Sequence, residues 1–417
     1  MKDSGIEWIG NIPKNWSICP IGCEFQEVLD KNLFLREKKS LKFTFGNIVD
    51  KKDFNENIDD YVEKTIRNYT VVKPGDIVLN GLNLNFDFVT LRIGQVKSKG
   101  LITSAYTSFR IIDSTKLSSD FVTYLFKSYD SCKAFHNMGG GVRKILNFSE
   151  LKKNYFIFPS LQEQRKIADF LDEKCSEIDA LTADIQTQIE TLEEYKKSVI
   201  TEAVTKGLDP NVELKDSGVE WIGKIPADWD VFKGKYVLKY LQKPVKQEDD
   251  VITCFRDGEV TLRKNRREDG FTMSDKEIGY QGVDVGDLVV HGMDGFAGAI
   301  GISDSRGKAS PVLNVLDSSM VKKFIMYYLR SMAYGNVFTA IATGIRVRSC
   351  DLRWNKLANL PYPVPPFEEQ RQIADFLDQK CSEIDQTIYE KQQQLETLAE
   401  YKKSLIYEYV TGKKEVA

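Results

Sequence analysis

An internal repeat constrains this chain more than any other feature of its sequence. Residues 3–16 read DSGIEWIGNIPKNW and residues 216–229 read DSGVEWIGKIPADW, which are identical at 10 of 14 positions. Residues 162–179 (QEQRKIADFLDEKCSEID) and 368–385 (EEQRQIADFLDQKCSEID) are identical at 15 of 18 positions. Because chance does not produce two such matches in the same order, we interpret the 417 residues as one structural unit written twice.

The stretches between the repeated blocks, roughly residues 17–158 and 230–364, barely resemble each other. A Gly–Asp pair nevertheless precedes a short apolar run in both, at residues 75–76 and 286–287. We predict that the two stretches share an α/β fold while differing in surface. Such an arrangement is typical of two domains that recognise different ligands and are held by two equivalent structural segments.

The repeated blocks that follow each variable stretch predict long helices. Neither Pro nor Gly interrupts residues 162–205 or 368–410, where apolar residues recur every seven positions, as in a coiled coil. About 40 residues at ~1.5 Å each predict a rod of roughly 60 Å. Three polar residues, Lys174, Gln188 and Lys391, fall at core positions. The predicted helix-pair core consists of Leu171, Ile178, Ile185, Leu192, Val199, Leu377, Ile384, Leu398 and Leu405.

These patterns predict an α+β protein in which two globular α/β domains are joined by two long antiparallel coiled-coil helices, with an internal pseudo-two-fold repeat. The predicted boundaries are a first domain at 1–158, a first helix at 159–206, a second domain at 207–364 and a second helix at 365–417. One alternative stays open, in which each helix bridges domains without packing on the other.

Charge is unevenly distributed behind a net charge of −3. Residues 1–158 carry +5 and 216–364 carry +2, whereas the helical segments 159–215 and 365–417 carry −6 and −4. This segregation places any electrostatic footprint for nucleic acid on the variable domains.

Candidate DNA contacts follow from residue chemistry. Glycine-rich backbone beside an arginine permits close approach to a phosphate, and asparagine pairs bidentately with adenine. Solvated turns are the competing interpretation for each of these residues. The candidates are Arg143 and Lys144, their repeat equivalents Arg346 and Arg348, the basic run Arg263, Lys264, Arg266 and Arg267, the asparagines Asn80, Asn83 and Asn85, and Arg92.

The residues of a metal centre or a catalytic site are not evident. The two histidines, His136 and His291, have no Cys or His at ligand spacing, and Cys175 and Cys381 are predicted to be small core residues beside the helical seam. We therefore predict no metal and no catalytic residue. The seven cysteines, the lack of a signal peptide and the lack of an apolar run of ~18 residues predict a cytoplasmic protein with reduced thiols.

The repeated motifs DSGxEWIGxIPxxW, (Q/E)EQRxIADFLDxKCSEID and ETLxEYKKS, in this cyclic order, resemble the specificity subunit of type I restriction–modification enzymes. The resemblance covers the full chain. It implies that each variable domain recognises one half of a split sequence in double-stranded DNA. It also implies that the helices set the distance between the halves and bind two modification subunits.

The remaining implications concern partner subunits. S-adenosylmethionine is expected on the modification (methyltransferase) subunits, and ATP and Mg²⁺ on the restriction subunits, which translocate DNA. The specificity chain itself would hold no cofactor. The resemblance assigns residues 164–178 and 370–384 to the spacer and docking region, and places Arg143 and Arg346 where recognition domains end.

Two other functional hypotheses stay open. One is a non-catalytic coiled-coil assembly protein whose globular domains bind a protein or glycan. The other is a self-sufficient methyltransferase, for which the loop Val364–Phe367 is a poor match, because valine cannot grip a target amine as Asn or Asp would.

Overall fold

The computed structural model describes residues 1–51, 60–86, 88, 91–142, 144–266, 277–341 and 352–416. They form two compact units, and each unit combines one variable stretch with parts of both long helices. Unit 1 comprises Met1–Ile185 and Gln393–Ala417, and unit 2 comprises Gln186–Gln392. The mixed α/β content and the long helix confirm that part of the predicted fold class.

Unit 1 is built on short strands and helices that alternate along the chain. The strands are β1 Lys2–Asp3, β2 Asn11–Ile12, β3 Ser17–Pro20, β4 Phe25–Glu27, β5 Leu41–Thr44, β6 Asn47–Asp50, β7 Thr70–Val72, β8 Ile77–Leu79, β9 Ile93–Gln95, β10 Gly100–Ile102, β11 Thr107–Ile111 and β12 Tyr155–Phe158. The helices are α1 Ile21–Glu24, α2 Asp60–Arg67, α3 Ser119–Ser131, α4 Ala134–Met138, α5 Phe148–Leu151 and α6 Leu161–Lys206. The part of α6 that ends at Ile185 belongs to this unit.

Unit 2 contains a second series of the same kinds of element. Its strands are β13 Leu214–Asp216, β14 Lys224–Pro226, β15 Asp230–Lys233, β16 Leu238–Tyr240, β17 Ile252–Cys254, β18 Val260–Leu262, β19 Gln281–Val283, β20 Leu288–His291, β21 Ile300–Ile302, β22 Gly307–Ala309, β23 Leu313–Ser318 and β24 Pro361–Val364. Its helices are α7 Gly234–Val237, α8 Lys322–Tyr334, α9 Val337–Ala340, α10 Trp354–Leu357 and α11 Phe367–Val410, of which the part that ends at Gln392 belongs to this unit. Two 3₁₀ turns lie at Arg263–Asn265 and Gly295–Ala297.

Each unit contains a four-stranded antiparallel sheet. The order is β4-β11-β8-β9 in unit 1 and β16-β23-β20-β21 in unit 2. Phe109 lies opposite Ile77 in the first sheet, and Leu316 lies opposite Leu288 in the second. Helix α3 packs against β9, and α8 packs against β21. The central strands β8 and β20 are apolar and buried along almost their whole length.

The Gly–Asp pairs of the sequence lie in turns ahead of a central strand, and the aspartate of each pair is buried. The Asp76 carboxylate accepts a hydrogen bond from the Lys73 backbone N–H at 2.8 Å and is bound by Arg110 at 2.6 Å. The Asp287 carboxylate accepts one from the Asp284 N–H at 2.8 Å and is bound by Lys243 at 2.6 Å. A buried carboxylate is stable only when paired, and both pairs meet that condition.

The two repeated sequence blocks contact each other within each unit. The Trp16 indole Nε1–H donates to Glu163 at 3.0 Å in unit 1, and the Trp229 indole donates to Glu369 at 3.0 Å in unit 2. These tryptophans close the first block and the glutamates open the second. The repetition of both blocks is therefore the repetition of one contact that anchors the start of a long helix.

Buried glutamines complete this anchor. Gln164 accepts from the Ser118 N–H at 2.9 Å and donates to the Pro159 carbonyl at 2.9 Å. Gln370 accepts from the Val321 N–H at 2.9 Å and donates to the Pro365 carbonyl at 2.8 Å. Each amide satisfies groups that the helix start and the adjacent loop would otherwise leave buried and unpaired.

Parts of α6 and α11 pack side by side within each unit. In unit 1 the rings of Phe170 and Tyr409 are 4.5 Å apart, and Lys402 binds Asp179 at 2.5 Å. In unit 2 Lys196 binds Asp385 at 2.6 Å. In unit 1 the later residue of α6 contacts the earlier residue of α11, so the paired segments run antiparallel.

The predicted helix-pair core is largely buried. Leu171, Ile178, Ile185, Leu377, Ile384 and Leu405 are buried, whereas Leu192, Val199 and Leu398 are partly exposed. Ile189 is also buried, although the heptad pattern omits it. Cys175 and Cys381 are buried in the cores of units 1 and 2, which confirms their predicted place.

Candidate nucleic-acid interface

In unit 1 the structure brings the asparagine-rich loop and the glycine-rich turn together. The Leu146 N–H donates to the Gly81 carbonyl at 2.9 Å, and the Asn85 amide donates to the Val142 carbonyl at 2.8 Å. A Cβ on Gly81 would lie 2.0 Å from the Leu146 carbonyl oxygen, so this approach requires glycine. Two sequence candidates that lie far apart in the chain thus form one surface.

The three asparagines in this surface have different roles. Asn85 holds the turn through Val142, and the Asn80 side chain accepts from the Leu82 N–H at 3.3 Å. Asn83 is exposed at a φ of +54°, a left-handed conformation that asparagine tolerates better than most residues. Asn83 is therefore the most exposed of the three asparagines. Lys144, also exposed, has a φ of +39°.

Arg92 does not fit its predicted role in DNA contact. Its side chain is fully buried, and Nη1 donates to the carbonyls of Asn80 at 3.0 Å and Leu82 at 2.8 Å. Its backbone N–H donates to Asp130 at 2.6 Å. Through Nη1, Arg92 therefore holds the asparagine loop by two of its backbone carbonyls.

Four candidate arginines lie outside the described residues, namely Arg143, Arg267, Arg346 and Arg348. The described part of the basic run is paired with nearby carboxylates. Lys264 binds Asp250, and Arg266 binds Asp257 at 2.5 Å and Glu259 at 3.0 Å. These carboxylates raise the pKa of the Arg266 guanidinium. Arg263 donates to Thr253 Oγ1 at 3.3 Å.

Unit 2 has an open cleft of about 950 Å³ beside this run. It lies between the β17–β18 hairpin and the loop after β20, and its lining includes Thr253, Arg256, Arg263, Arg266, His291 and Asp294. The Leu352 N–H donates to the Gly292 carbonyl at 2.8 Å, which matches the Leu146–Gly81 bond of unit 1. The cleft loop of unit 2 and the asparagine loop of unit 1 thus follow equivalent central strands.

Arg256, His291 and Asp294 form a chain of contacts that the sequence analysis missed. Arg256 Nη2 lies 2.9 Å from Asp294 Oδ1, and His291 Nε2 lies 3.7 Å from Asp294 Oδ2. Burial lowers the pKa of His291. A sequence signal for this loop exists, because HGMD follows the apolar run LVV of unit 2 just as NGLN follows the apolar run IVL of unit 1.

Two further observations concern metal sites and membrane-spanning helices. In the described parts of the chain, outside the gaps given above, no cluster of three His, Cys, Asp or Glu side chains is arranged to hold a metal ion. Among the same residues, no helix combines the length and the apolar character that a membrane crossing demands.

Comparison with known proteins shows which family this chain is similar to. Residues 37–191 match the model of the type I restriction modification DNA specificity domain. The MjaX specificity subunit of Methanocaldococcus jannaschii is 24% identical, across 97% of this chain and 95% of the relative. The type I restriction enzyme MjaVIII specificity subunit of the same organism is 25% identical, across 96% and 93%.

Solved structures share the fold. One, described in terms of complex assembly and conformational transition of a type I restriction–modification system, superposes with a TM-score of 0.70 at 13% identity and covers 97% of this chain and 100% of that one. The HsdS subunit from Thermoanaerobacter tengcongensis gives a TM-score of 0.51 at 13% identity, covering 97% and 98%. The repeated motifs, the fold and these near full-length matches agree, and the chain is similar along its length to type I restriction–modification specificity subunits.

Proposed function

We propose that this specificity subunit reads a bipartite DNA target, with one half-site contacted by the globular part of each unit. The observation that carries the proposal is the pair of sheets with one strand order, each followed at an equivalent central strand by a loop of different chemistry. Unit 1 has Asn83 in this loop and Lys144 in the turn bonded to it, whereas unit 2 has His291 and Asp294 at the end of β20 and after it, with Arg256 in the β17–β18 turn beside them. A common framework with unlike loops is what two different half-sites require.

The internal repeat is proposed to be a pseudo-two-fold repeat, with recognition domains at residues 1–158 and 207–364. The spacer helices at 159–206 and 365–417 are proposed to form an antiparallel coiled coil. The Trp–Glu and glutamine contacts at the two helix starts support this, because they seat α6 and α11 in the same way. In this arrangement the helices set the spacing between half-sites.

Partners supply the chemistry in this proposal. Two modification subunits dock on the helix pair and methylate DNA using S-adenosylmethionine, and restriction subunits add ATP- and Mg²⁺-dependent translocation. The specificity chain holds no cofactor and catalyses no step, and the complex acts in the cytoplasm, where the DNA is. DNA contact falls on Asn83, Lys144, Arg263, Lys264 and Arg266 among the described candidates, and on Arg143, Arg267, Arg346 and Arg348.

The test is methylome sequencing of a host that expresses the chain with its modification subunit. We expect one bipartite motif with two defined halves and a fixed gap. In a binding assay on a duplex carrying that motif, affinity should fall steeply with salt, since phosphate contacts release counterions.

Two outcomes would contradict the proposal. One is methylation without a sequence preference. The other is salt-insensitive binding to a protein or glycan without any shift of DNA in a gel, the behaviour expected of a coiled-coil assembly protein. The variant Leu181→Ala changes an exposed helix position and should leave the motif unchanged.

A further inference from the structure

We propose that Arg256 and Asp294, supported by His291 at the cleft of unit 2, read a single G·C base pair through the major groove. This inference rests on the proposed function, because it assumes that unit 2 contacts DNA. It adds the identity of the reading residues and of the base pair.

The pair is placed where a base edge has access to it. Arg256 lies in the turn of the β17–β18 hairpin, and Asp294 lies in the loop after β20. Their side chains are 62% and 35% exposed, and Arg256 Nη2 lies 2.9 Å from Asp294 Oδ1. A donor and an acceptor from two different loops are therefore held side by side at the mouth of the cleft.

His291 adds a second donor on the other side of the carboxylate. Its Nδ1 accepts hydrogen bonds from the backbone N–H groups of Met293 at 3.2 Å and Asp294 at 2.9 Å. In a neutral imidazole the proton then lies on Nε2, which is 3.7 Å from Asp294 Oδ2. Burial lowers the pKa of His291, which favours this neutral form at physiological pH.

The order of donors and acceptors selects the base pair. Guanine presents the acceptors N7 and O6 in the major groove, and its cytosine partner presents the N4 amino donor. Arginine donates bidentately to N7 and O6, and a carboxylate accepts from N4. An A·T pair puts its amino donor at the adenine position that faces the arginine, so donor would meet donor there.

The surroundings of the pair favour a polyanion. Three arginines and two aspartates line the cleft, and Arg266 stacks over the Phe255 ring at 4.4 Å from its centroid. Met293, which is 51% exposed between His291 and Asp294, supplies an apolar contact surface. Phosphates flanking the base pair would therefore meet arginine side chains beside an exposed apolar surface.

Unit 1 has different chemistry at the equivalent place. The turn of its β5–β6 hairpin carries Phe45, which is 74% exposed, and its loop after β8 carries Asn83. The Arg–Asp pair therefore belongs to unit 2 alone among these two loops. Its removal should alter one half-site and leave the other as it is.

The first experiment compares methylomes of hosts that express the full chain with its modification subunit. Arg256→Ala and Asp294→Ala should each make the same single G·C position degenerate, with the other positions and the other half unchanged. Lys153→Ala is the matched control: this lysine is 65% exposed and pairs with Glu150 at 3.0 Å, but it lies in unit 1, away from the cleft and from the docking region of the helices. The control should keep the wild-type motif.

The second experiment needs no variant. Binding of the wild-type complex is measured on duplexes in which 7-deazaguanine replaces guanine at that position, which removes the N7 acceptor. We expect a loss of roughly 10-fold in affinity, the size of a good base contact. The same replacement at a guanine in the gap between half-sites should change affinity little.

The outcomes separate this inference from the proposed function. A wild-type motif with unchanged specificity in both alanine variants, or a half-site change at an A·T position, would overturn the inference and leave the proposed function intact. Uniform weakening at all positions would assign Arg256 to phosphate contact and also overturn it. No motif for the wild-type complex would instead overturn the proposed function.

Discussion

Asp284 in unit 2 lies between two cationic side chains. Lys243 Nζ donates to one carboxylate oxygen at 2.8 Å, and Arg306 Nη1 donates to the other at 2.5 Å. The Lys243 hydrogen bond is the main reason that the pKa of Asp284 falls to about 2, and the Arg306 bond is the second. Arg306 also binds Asp249 and Lys243 binds Asp287, so the carboxylate joins two buried pairs.

We expect Asp284→Asn to lower the free energy of unfolding at pH 7 by about 1 kcal/mol, a value discounted because the side chain is half exposed. The ionised carboxylate stabilises the fold above its ordinary pKa near 3.8, and this contribution is lost as the pH falls toward 2. The difference between variant and wild type should therefore close over that window. Urea unfolding at a series of pH values measures it.

The control for this prediction is Asp304→Asn. Asp304 is an exposed aspartate of the same unit, and it accepts a hydrogen bond from Ser305 at 2.6 Å. The Asp304→Asn change should leave the free energy of unfolding within about 0.5 kcal/mol of wild type. A gap for Asp284→Asn that stays constant from pH 7 to pH 2 would contradict the ion-pair account.

At the scale of the element, the two long helices derive their stability from a narrow buried stripe. Leu171 of α6 is fully buried in the core of unit 1, whereas Leu181, ten positions on, is 48% exposed. Both are leucines in one helix without interruption. Helix propensity is therefore the same at the two positions, and only burial differs.

We expect Leu171→Ala to destabilise unit 1 by about 2–5 kcal/mol, because it leaves a cavity in the core. Leu181→Ala should cost less than about 0.5 kcal/mol, since it removes little buried surface. Thermal unfolding followed by circular dichroism compares the two. Equal losses would indicate that α6 is stabilised by propensity and not by packing.

A polar contact interrupts the apolar stripe in unit 2. Lys391 donates to Gln188, and the two residues occupy predicted core positions of α11 and α6. The contact accounts for two of the three imperfect core positions in the heptad pattern. A partly buried polar pair of this kind stabilises less than apolar residues would, but it favours one helix register.

Gln188→Leu alone should destabilise unit 2 by about 1–3 kcal/mol, because the Lys391 ammonium loses its acceptor. The double change Gln188→Leu with Lys391→Leu should recover at least that loss, since two leucines pack in its place. Urea unfolding of both singles and the double closes a double-mutant cycle. Additive effects would show that the contact does not couple the helices.

At the scale of the whole molecule, each unit is assembled from segments that are remote in the chain. Unit 1 needs the last residues of α11, and unit 2 needs the end of α6 and the start of α11. Tyr407 Oη donates to the Trp8 carbonyl at 3.0 Å, a contact across 399 positions of sequence. Under the proposed function, the helices are therefore both part of each reader and the spacer between readers.

One inserted heptad in both helices, after Ile185 and after Gln392, should lengthen the gap of the recognised motif. Seven residues at ~1.5 Å add about 10 Å, or roughly three base pairs. The half-site sequences should not change, because the reading loops are untouched. Methylome sequencing measures both properties at once.

The control is a seven-residue insertion in the turn at residues 208–212, between α6 and β13. This insertion should leave both the gap and the half-sites as they are. An unchanged gap after the helix insertions would count against the spacer role.

The sequence alone determined the repeat, the long helices, most of their buried stripe and the resemblance to the family. These properties are local or periodic, so they can be read from the linear sequence without knowledge of the fold. Heptad spacing marks a buried face because a helix has a fixed angle per residue, and Leu171, Ile178 and Ile185 are buried as that angle requires.

The tertiary structure decided which charged and polar side chains face a ligand. Arg92 and Arg256 both lie in variable stretches, yet one is fully buried against the carbonyls of a loop and the other is 62% exposed at a cleft. The difference comes from partners 10 to 38 positions away, such as Leu82, Asp130 and Asp294, which no spacing rule brings together. Solvent exposure of a charged group depends on which remote segments fold over it, and only the folded chain settles that.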